Sequence, residues 1–485
     1  MKIDDLFTDI PVTKIFGTAG AGKTTKLIDI LNDLFEKGVE PERIVFASFT
    51  KKAVEEMIER VLLKFTHFNK SQFKYFKTIH ALGYASSDNK KIMGYKELSS
   101  IAKSLGLEIS FVVNPEDCGG DKKGDKVVTI ESLSRLRMVS LEEQWRACDF
   151  DDVSLFMANK WKEKLVEFKN KNNFVDFTDL LQNYNSGAID ADYMIIDEAQ
   201  DLCPLQWSVL NEMSKKCKRV YIAGDDDQLI YKWAGAEVEY ILNIKSDEEI
   251  ILSKSHRLPA NIYNLSREVL RKIRLRKPKE CVPTKENGEI RKIGSIEDLV
   301  FENNKQYLIL IRNKFINNDI CEFLEGQGLP YISFNKSSVD CDELKAVYIW
   351  ESYRKTRNIS VRDYDKCANY SSTLSKYDKN NIPEELFEKT WFQILNLIAP
   401  KKTRYFRLML SKGYKLSKEP NIKVSTIHQA KGGECDNVIL ITDVSFNTYN
   451  NINTDDEHRV WYVAVSRAKQ NLTIVSGSNN RYYRI

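Results

Sequence analysis

The eight residues 17–24, GTAGAGKT, constrain this chain more than any other stretch. They fit G-x-x-x-x-G-K-[ST], a pattern that works between a strand and a helix. The flanks comply. VTKIFG ahead of it reads as a short apolar strand, and residues 23–37 read as an amphipathic helix. Gly17, Gly20 and Gly22 let backbone N–H groups wrap phosphate oxygens, with Thr18, Ala19, Ala21 and Thr25 filling the same cradle. The helix start adds the positive end of its dipole. Lys23 is expected to reach the β- and γ-phosphates, and Thr24 to ligate Mg²⁺.

The rest of the chain repeats that α/β grammar. RIVFASF and residues 51–64 form a second strand and helix, and YMIID and RVYIAG are further strands. A third α/β stretch covers 248–334, with ILSKS, EIRKIG and YLILIR as strands, and 422–485 adds IKVSTI, NVILITDV and LTIVSG. Residues 86–183 look mostly helical, with a Gly/Lys/Asp loop at 118–126, and 335–415 are polar and helix-leaning. Two α/β domains follow, each interrupted by a mainly helical insertion: 1–85 with 184–250 around 86–183, and 251–334 with 416–485 around 335–415.

Two acidic strand ends accompany the phosphate loop. YMIID delivers Asp197 to a strand's C-terminal end, where nucleotide sites of open α/β sheets lie. Asp197 is expected to hold Mg²⁺ through water, and Glu198 beside it to act as general base on the attacking water. The stretch 225–236, DDDQLIYKWAGA, turns from strand into acidic, amide and aromatic residues. Gln228 is a neutral amide able to sense a phosphate or a water. Trp233, flanked by Tyr231 and Lys232, reads either as a packed aromatic or as a platform for an unstacked base.

In order along the chain, these stretches resemble the motifs of UvrD/Rep/PcrA-type superfamily 1A DNA helicases. GTAGAGKT resembles motif I, FASFTKKAVEEMIER (46–60) motif Ia, and FKTIHALGY (76–84) the next DNA-contacting motif. FVDFTDLL (174–181) resembles the segment leading back into the first core domain. IIDEAQD is similar to motif II, GDDDQLIYKWAGA to motif III and LSKSHRLP (252–259) to motif IV. LILIRNKFINNDICEFLEGQGLPY (308–331) resembles the segment after it, VSTIHQAKGGECDNVIL (424–440) motif V and EHRVWYVAVSRAK (457–469) motif VI.

The resemblance implies two RecA-like P-loop domains with ATP and Mg²⁺ in the cleft between them. It implies that Arg257 and Arg467 reach the γ-phosphate, worth roughly a thousandfold in rate. Gln228 would report that phosphate to the DNA side. Glu434, with Gly432 in the same motif, would lie near the nucleotide sugar, and His256 would stand where the family has a Tyr packed on the base. Phe49, Thr50, Thr78, His80, Tyr231, Trp233, Thr426 and His428 would meet single-stranded DNA. His458 reads as a core histidine, and the motif histidines are too scattered for a metal site.

The implied activity is an ATP-driven translocase that moves 3′–5′ on single-stranded DNA and unwinds duplexes from single-strand/double-strand junctions, acting as a monomer. The rivals are a translocase that strips proteins from DNA and a DNA-dependent ATPase subunit of a replication, repair or anti-phage complex. Net charge is only +4, so any basic surface must be local. RKIRLRKPK (271–279) and KKTRYFR (401–407) are candidates, read either as DNA path or as solvated helix faces. Nine dispersed cysteines without a CxxC pair fit a reduced, cytoplasmic compartment of a bacterium or of a phage-infected cell, and no apolar run has membrane-span length. Upstream of the loop, DDLFTDIPVTKIFG lacks the Gln that reads adenine in the family, so base selectivity should be weak. The second insertion is short and little follows motif VI, as in compact phage and archaeal forms. No nuclease signature follows.

Overall fold

Strands buried on both faces need apolar residues at consecutive positions, and the central strands of the first sheet are largely such runs. Its strands are β1 (Val12–Gly17), β2 (Ile44–Ser48) and β3 (Phe76–Thr78). After a separate parallel pair, β4 (Lys91–Ile92) with β5 (Phe174–Val175), it continues with β6 (Tyr193–Ile196), β7 (Arg219–Gly224) and β8 (Glu248–Leu252). The order is β3-β2-β6-β7-β1-β8, parallel throughout. Successive residues serve opposite layers. Val45 and Ala47 join one core with Trp207 and Leu210, while Ile44 and Phe46 join another with Leu31 and Met57. The computed structural model describes residues 2–85, 91–110, 122–148, 150–185, 187–416, 418–477 and 479–485.

The first insertion has its own core around Trp161, built by helices Tyr95–Ser104, Lys123–Leu136, Leu141–Cys148 and Leu155–Asn172. Of the loop expected at 118–126, residues 118–121 lie outside the described residues, and 123–126 open a helix instead. Arg135 ties this layer to the returning chain: it pairs with Glu131 at 2.7 Å, Asp176 at 2.5 Å and Asp179 at 3.0 Å. Lys169 adds contacts to both aspartates at 2.5 and 2.7 Å.

The second sheet runs β12-β11-β13-β10-β14-β15-β9. Its strands are β9 (Glu289–Ile293), β10 (Tyr307–Ile311), β11 (Tyr331–Ser333), β12 (Lys336–Ser337), β13 (Ile422–Thr426), β14 (Cys435–Ile441) and β15 (Ala468–Val475). All pairs are parallel except β11–β12. The second insertion packs helices Asp342–Thr356, Val361–Ala368 and Pro400–Ser411 around Trp350, Trp391 and Phe406.

Two expectations are corrected. The strand in ILSKS does not open the second sheet. It closes the first, as β8 beside β1, because Thr13 to Gly17 face Glu248 to Leu252 in parallel register. The compact units also do not follow the chain linearly. Met1–Ala260, Arg267–Lys285 and Asn453–Val463 form one, and Asn261–Ser266, Glu286–Ile452 and Ala464–Ile485 form the other. Charge is one reason: buried aspartates after β7 take their counter-ions from 276–279.

Candidate nucleotide and DNA site

Three neighbouring strands of the first sheet, β6, β7 and β1, end side by side. Their C-terminal ends carry Asp197, Asp225 and the phosphate loop, so topology alone assembles the acidic and glycine-rich elements. Gly20 and Gly22 have φ of +72° and +84°, the left-handed region that disfavours side chains. A Cβ on Gly20 would lie 2.4 Å from Cβ of Arg257, so the loop is pressed against the motif resembling motif IV. His256 N–H donates to Gly20 O at 2.8 Å, and Ser255 Oγ donates to Ala19 O at 3.1 Å. Helix Lys23–Glu36 starts from Gly22 without a side-chain cap, as an anion-binding helix start requires.

Lys23 is buried and its ammonium donates to Gly17 O at 2.9 Å. Thr24 is half-buried and Thr25 exposed, while Thr18, Ala19 and Ala21 are buried. Ala19 N–H donates to the hydroxyl of Tyr462 at 3.2 Å. The Asp197 carboxyl is 5% exposed and is pushed up to about 7, first by burial and then by the charge of Glu198, against the pull of Lys23. Glu198 stands at φ 52°, ψ 41°, a costly conformation for a non-glycine residue.

Behind these residues runs a hydrogen-bonded chain. Gln200, fully buried, donates from Nε2 to Glu198 Oε2 at 2.5 Å and accepts at Oε1 from Asp225 N–H at 2.9 Å. Gln228 donates from Nε2 to Asp225 Oδ2 at 2.7 Å. The Lys279 ammonium sits among Asp225 (3.1 Å), Asp227 (3.0 Å) and Asp226, which is its nearest partner. Arg276 grips Asp227 with two bonds of 2.7 Å. Burial opposes ionisation of Asp225, but Lys279 and then Lys23 outweigh it and hold this carboxyl below its usual range. Burial wins at Asp226, whose carboxyl is raised. The three carboxylates have the spacing of a metal site among the described residues, and the lysine fills it.

The aromatic candidates cluster. Phe49 stacks on Tyr231 (centroids 5.0 Å, planes 22° apart), and Tyr231 meets Trp233 edge-on at 5.6 Å. The buried indole N–H of Trp233 has no hydrogen-bond partner among the described residues. Thr50 and Thr78 use their hydroxyl oxygens as local caps, accepting from Ala53 and Ala81 N–H at 3.2 and 3.4 Å. His80 packs edge-on against Phe177 at 6.2 Å, and burial lowers its pKa.

In the second unit, Arg467 is buried and donates to Gly433 O at 3.1 Å and to Ser466 Oγ at 3.0 Å. Glu434 is exposed and 3.7 Å from Lys469, and Gly432 is exposed at φ +80°. Thr426 is fully buried, with its oxygen accepting from Gln429 N–H at 3.2 Å, and His428 is 3% exposed. Both DNA-side candidates of this unit are thus buried. His458 is buried, as a core histidine should be.

A model of the UvrD/REP helicase N-terminal domain matches residues 11–249, and a model of the UvrD-like helicase C-terminal domain matches 343–479. The first takes in most of the first sheet, and the second takes in β13, β14 and β15 of the second sheet. The chain belongs to the UvrD/PcrA-type superfamily 1A helicase family. A "Probable DNA helicase II homolog" of Mycoplasma capricolum is 29% identical over 322 residues, 58% of this chain and 42% of that protein. One of Mycoplasma genitalium is 22% identical, over 96% of this chain and 82% of its own. The "ATP-dependent DNA helicase PcrA" of Staphylococcus epidermidis is 26% identical over 61% of this chain and 42% of its own. Two of these three matches thus span less than half of the relative. Among the described residues, no helix is long and apolar enough to cross a membrane.

For this UvrD-type chain, four residues of the site lie inside stretches picked out from the sequence but carry no role there: Gln200, Arg276, Lys279 and Tyr462. The run 271–279 is not a helix face. It leaves helix Ala260–Leu270 as an irregular segment, and its Arg276 and Lys279 are consumed by buried aspartates. The run 401–407 does lie on a helix, with exposed Lys401 and Lys402 paired to Glu322 and Glu343 and with Tyr405 and Phe406 buried.

Proposed function

We propose that this protein is a Mg²⁺- and ATP-dependent motor that moves 3′–5′ on single-stranded DNA and unwinds duplex DNA. The observation that carries the reading is the convergence of the glycine-strained phosphate loop, Asp197–Glu198 and the Gln228 segment at three adjacent strand ends, beside the Phe49–Tyr231–Trp233 aromatic group. Lys23 neutralises the β- and γ-phosphates, Glu198 orients the attacking water, and Arg257 supplies positive charge to the transferred group. Thr24 and Asp197 offer the hard oxygen donors that Mg²⁺ takes. The ion, when bound, neutralises phosphate charge. The aromatic group gives sequence-tolerant stacking, as a motor on any sequence needs. Direction rests on the resemblance of GDDDQLIYKWAGA to the UvrD form of motif III, and unwinding on the likeness to relatives named DNA helicase II and PcrA.

The test is ATP hydrolysis and strand separation on 3′-tailed, 5′-tailed and blunt duplexes, with Lys23→Ala as control. Hydrolysis stimulated by single strands, and unwinding from 3′ tails alone, support the reading. Unwinding from 5′ tails alone refutes the direction. Stimulated hydrolysis without unwinding favours a protein-stripping translocase or a subunit that needs a partner.

A further inference from the structure

Lys279 lies in a basic run that the nucleic-acid reading does not use. Its ammonium has no exposed surface, so it cannot meet a DNA phosphate. Each carboxylate around it has a second task. Asp227 is held by Arg276, Asp226 Oδ2 accepts from Lys277 N–H at 2.7 Å, and Asp225 Oδ2 accepts from the Gln228 amide at 2.7 Å. Asp225 is therefore the branch point. Its side chain sets Gln228, and its backbone N–H holds Gln200, which in turn holds Glu198. Glu198 depends on that outside hold, because its own backbone is in the left-handed region.

We propose that Lys279 is a positioning residue for the hydrolytic machinery, fixing Gln228 and, through Gln200, Glu198 by its grip on Asp225. The inference rests on the ATPase reading above. Without the ammonium, three adjoining carboxylates would be left with Arg276, which grips Asp227, and the charge of Lys23, which acts on Asp225. The Asp225 side chain would turn away from its neighbours, carrying the Gln228 amide with it and pulling on the backbone N–H that holds Gln200. Displacements near 1 Å at such groups cost about a hundredfold in rate.

The experiment compares DNA-stimulated ATP hydrolysis and thermal melting in wild type, Lys279→Met, Lys279→Met/Asp226→Asn and Lys279→Arg. The double variant removes the ammonium together with one carboxylate charge, which protects folding. Expected is a double variant that melts close to wild type, with KM for ATP within about twofold and kcat down about ten- to a hundredfold. Lys279→Arg keeps the charge but not the reach of the ammonium, so its kcat should fall only severalfold, at unchanged KM. A folded double variant with wild-type kcat overturns the proposal, and so does a loss confined to KM. If both methionine variants fail to fold, Lys279→Arg decides: a severalfold lower kcat at unchanged KM supports positioning, and wild-type kcat overturns it. A wild-type chain without DNA-stimulated hydrolysis refutes the underlying ATPase reading, a separate result.

Discussion

Tyr462→Phe should make the protein bind ATP more tightly. The Tyr462 ring is 1% exposed, so phenylalanine keeps the packing and removes only the hydroxyl. That hydroxyl accepts from Ala19 N–H at 3.2 Å, within the loop whose amides cradle phosphate. A bound phosphate competes for the same amide proton. Wild type must give up this hydrogen bond on binding, and the variant has none to give up. A neutral hydrogen bond contributes about 1 kcal/mol net, and an amide left buried without a partner costs about 1–3 kcal/mol. The variant's Kd should therefore fall by about fivefold at the lower figure. Its nucleotide-free form should melt a few degrees lower, with the gap closing at saturating nucleotide. Titration of a fluorescent, non-hydrolysable ATP analogue and melting with and without it measure both quantities. Unchanged or weaker binding by the phenylalanine variant would refute the competition argument.

Gly20→Ala should lose about 2–5 kcal/mol, combining left-handed strain with overlap at Arg257, whereas Gly38→Ala, at φ +79° with nothing within 4 Å, should lose about 1 kcal/mol; equal denaturant midpoints would contradict this. Trp233→Ala should weaken single-stranded DNA binding by about 1–3 kcal/mol without changing nucleotide affinity, read by fluorescence anisotropy and nucleotide titration. Acid should loosen the first insertion through Asp176. Burial opposes ionisation there, but Arg135 and Lys169 outweigh it, so the folded carboxyl titrates below its unfolded value near 4. Its contribution is complete above about pH 4 and is lost as pH falls towards the lowered folded value. Asp176→Asn should melt lower at pH 7 and lose less on acidification, and parallel pH–melting curves would count against it. GTP should support hydrolysis at a rate comparable to ATP, and a steep preference for ATP would show that adenine is read without the missing Gln.

What the sequence made legible was whatever local chemistry forces into a fixed spacing. A phosphate cradle needs glycines at set intervals, so Gly17, Gly20, Gly22 and Lys23 could be read directly, and Asp197 followed from an apolar strand ending in acid. Parallel strands buried on both faces write continuous apolar runs, so the α/β character and both helical insertions were also legible. Residues paired across long stretches of chain were not. Lys279 is 53 positions from Asp226, and nothing in RKIRLRKPK says that its third lysine is dry. Tyr462 is 443 positions from Ala19. Thr426 and His428 sit in a DNA-contacting motif, yet motif membership says nothing of burial. The edge strand β8 was given to the wrong sheet because periodicity identifies a strand but not its neighbour.

The first compact unit is closed by residues from three separated stretches of the chain, and that has a consequence during synthesis. At about 5–20 residues per second, the Tyr462 hydroxyl leaves the ribosome roughly 20–90 s after Ala19. Asp225, Asp226 and Asp227 are made before Lys279, so until that lysine emerges the end of β7 carries three like charges with no ammonium to bury them. The unit therefore cannot mature from its N-terminus as a finished piece. A nascent or proteolytically shortened chain that stops before residue 279 keeps the whole phosphate-loop motif but not the charge balance beneath it, and a chaperone would find such a piece unfinished.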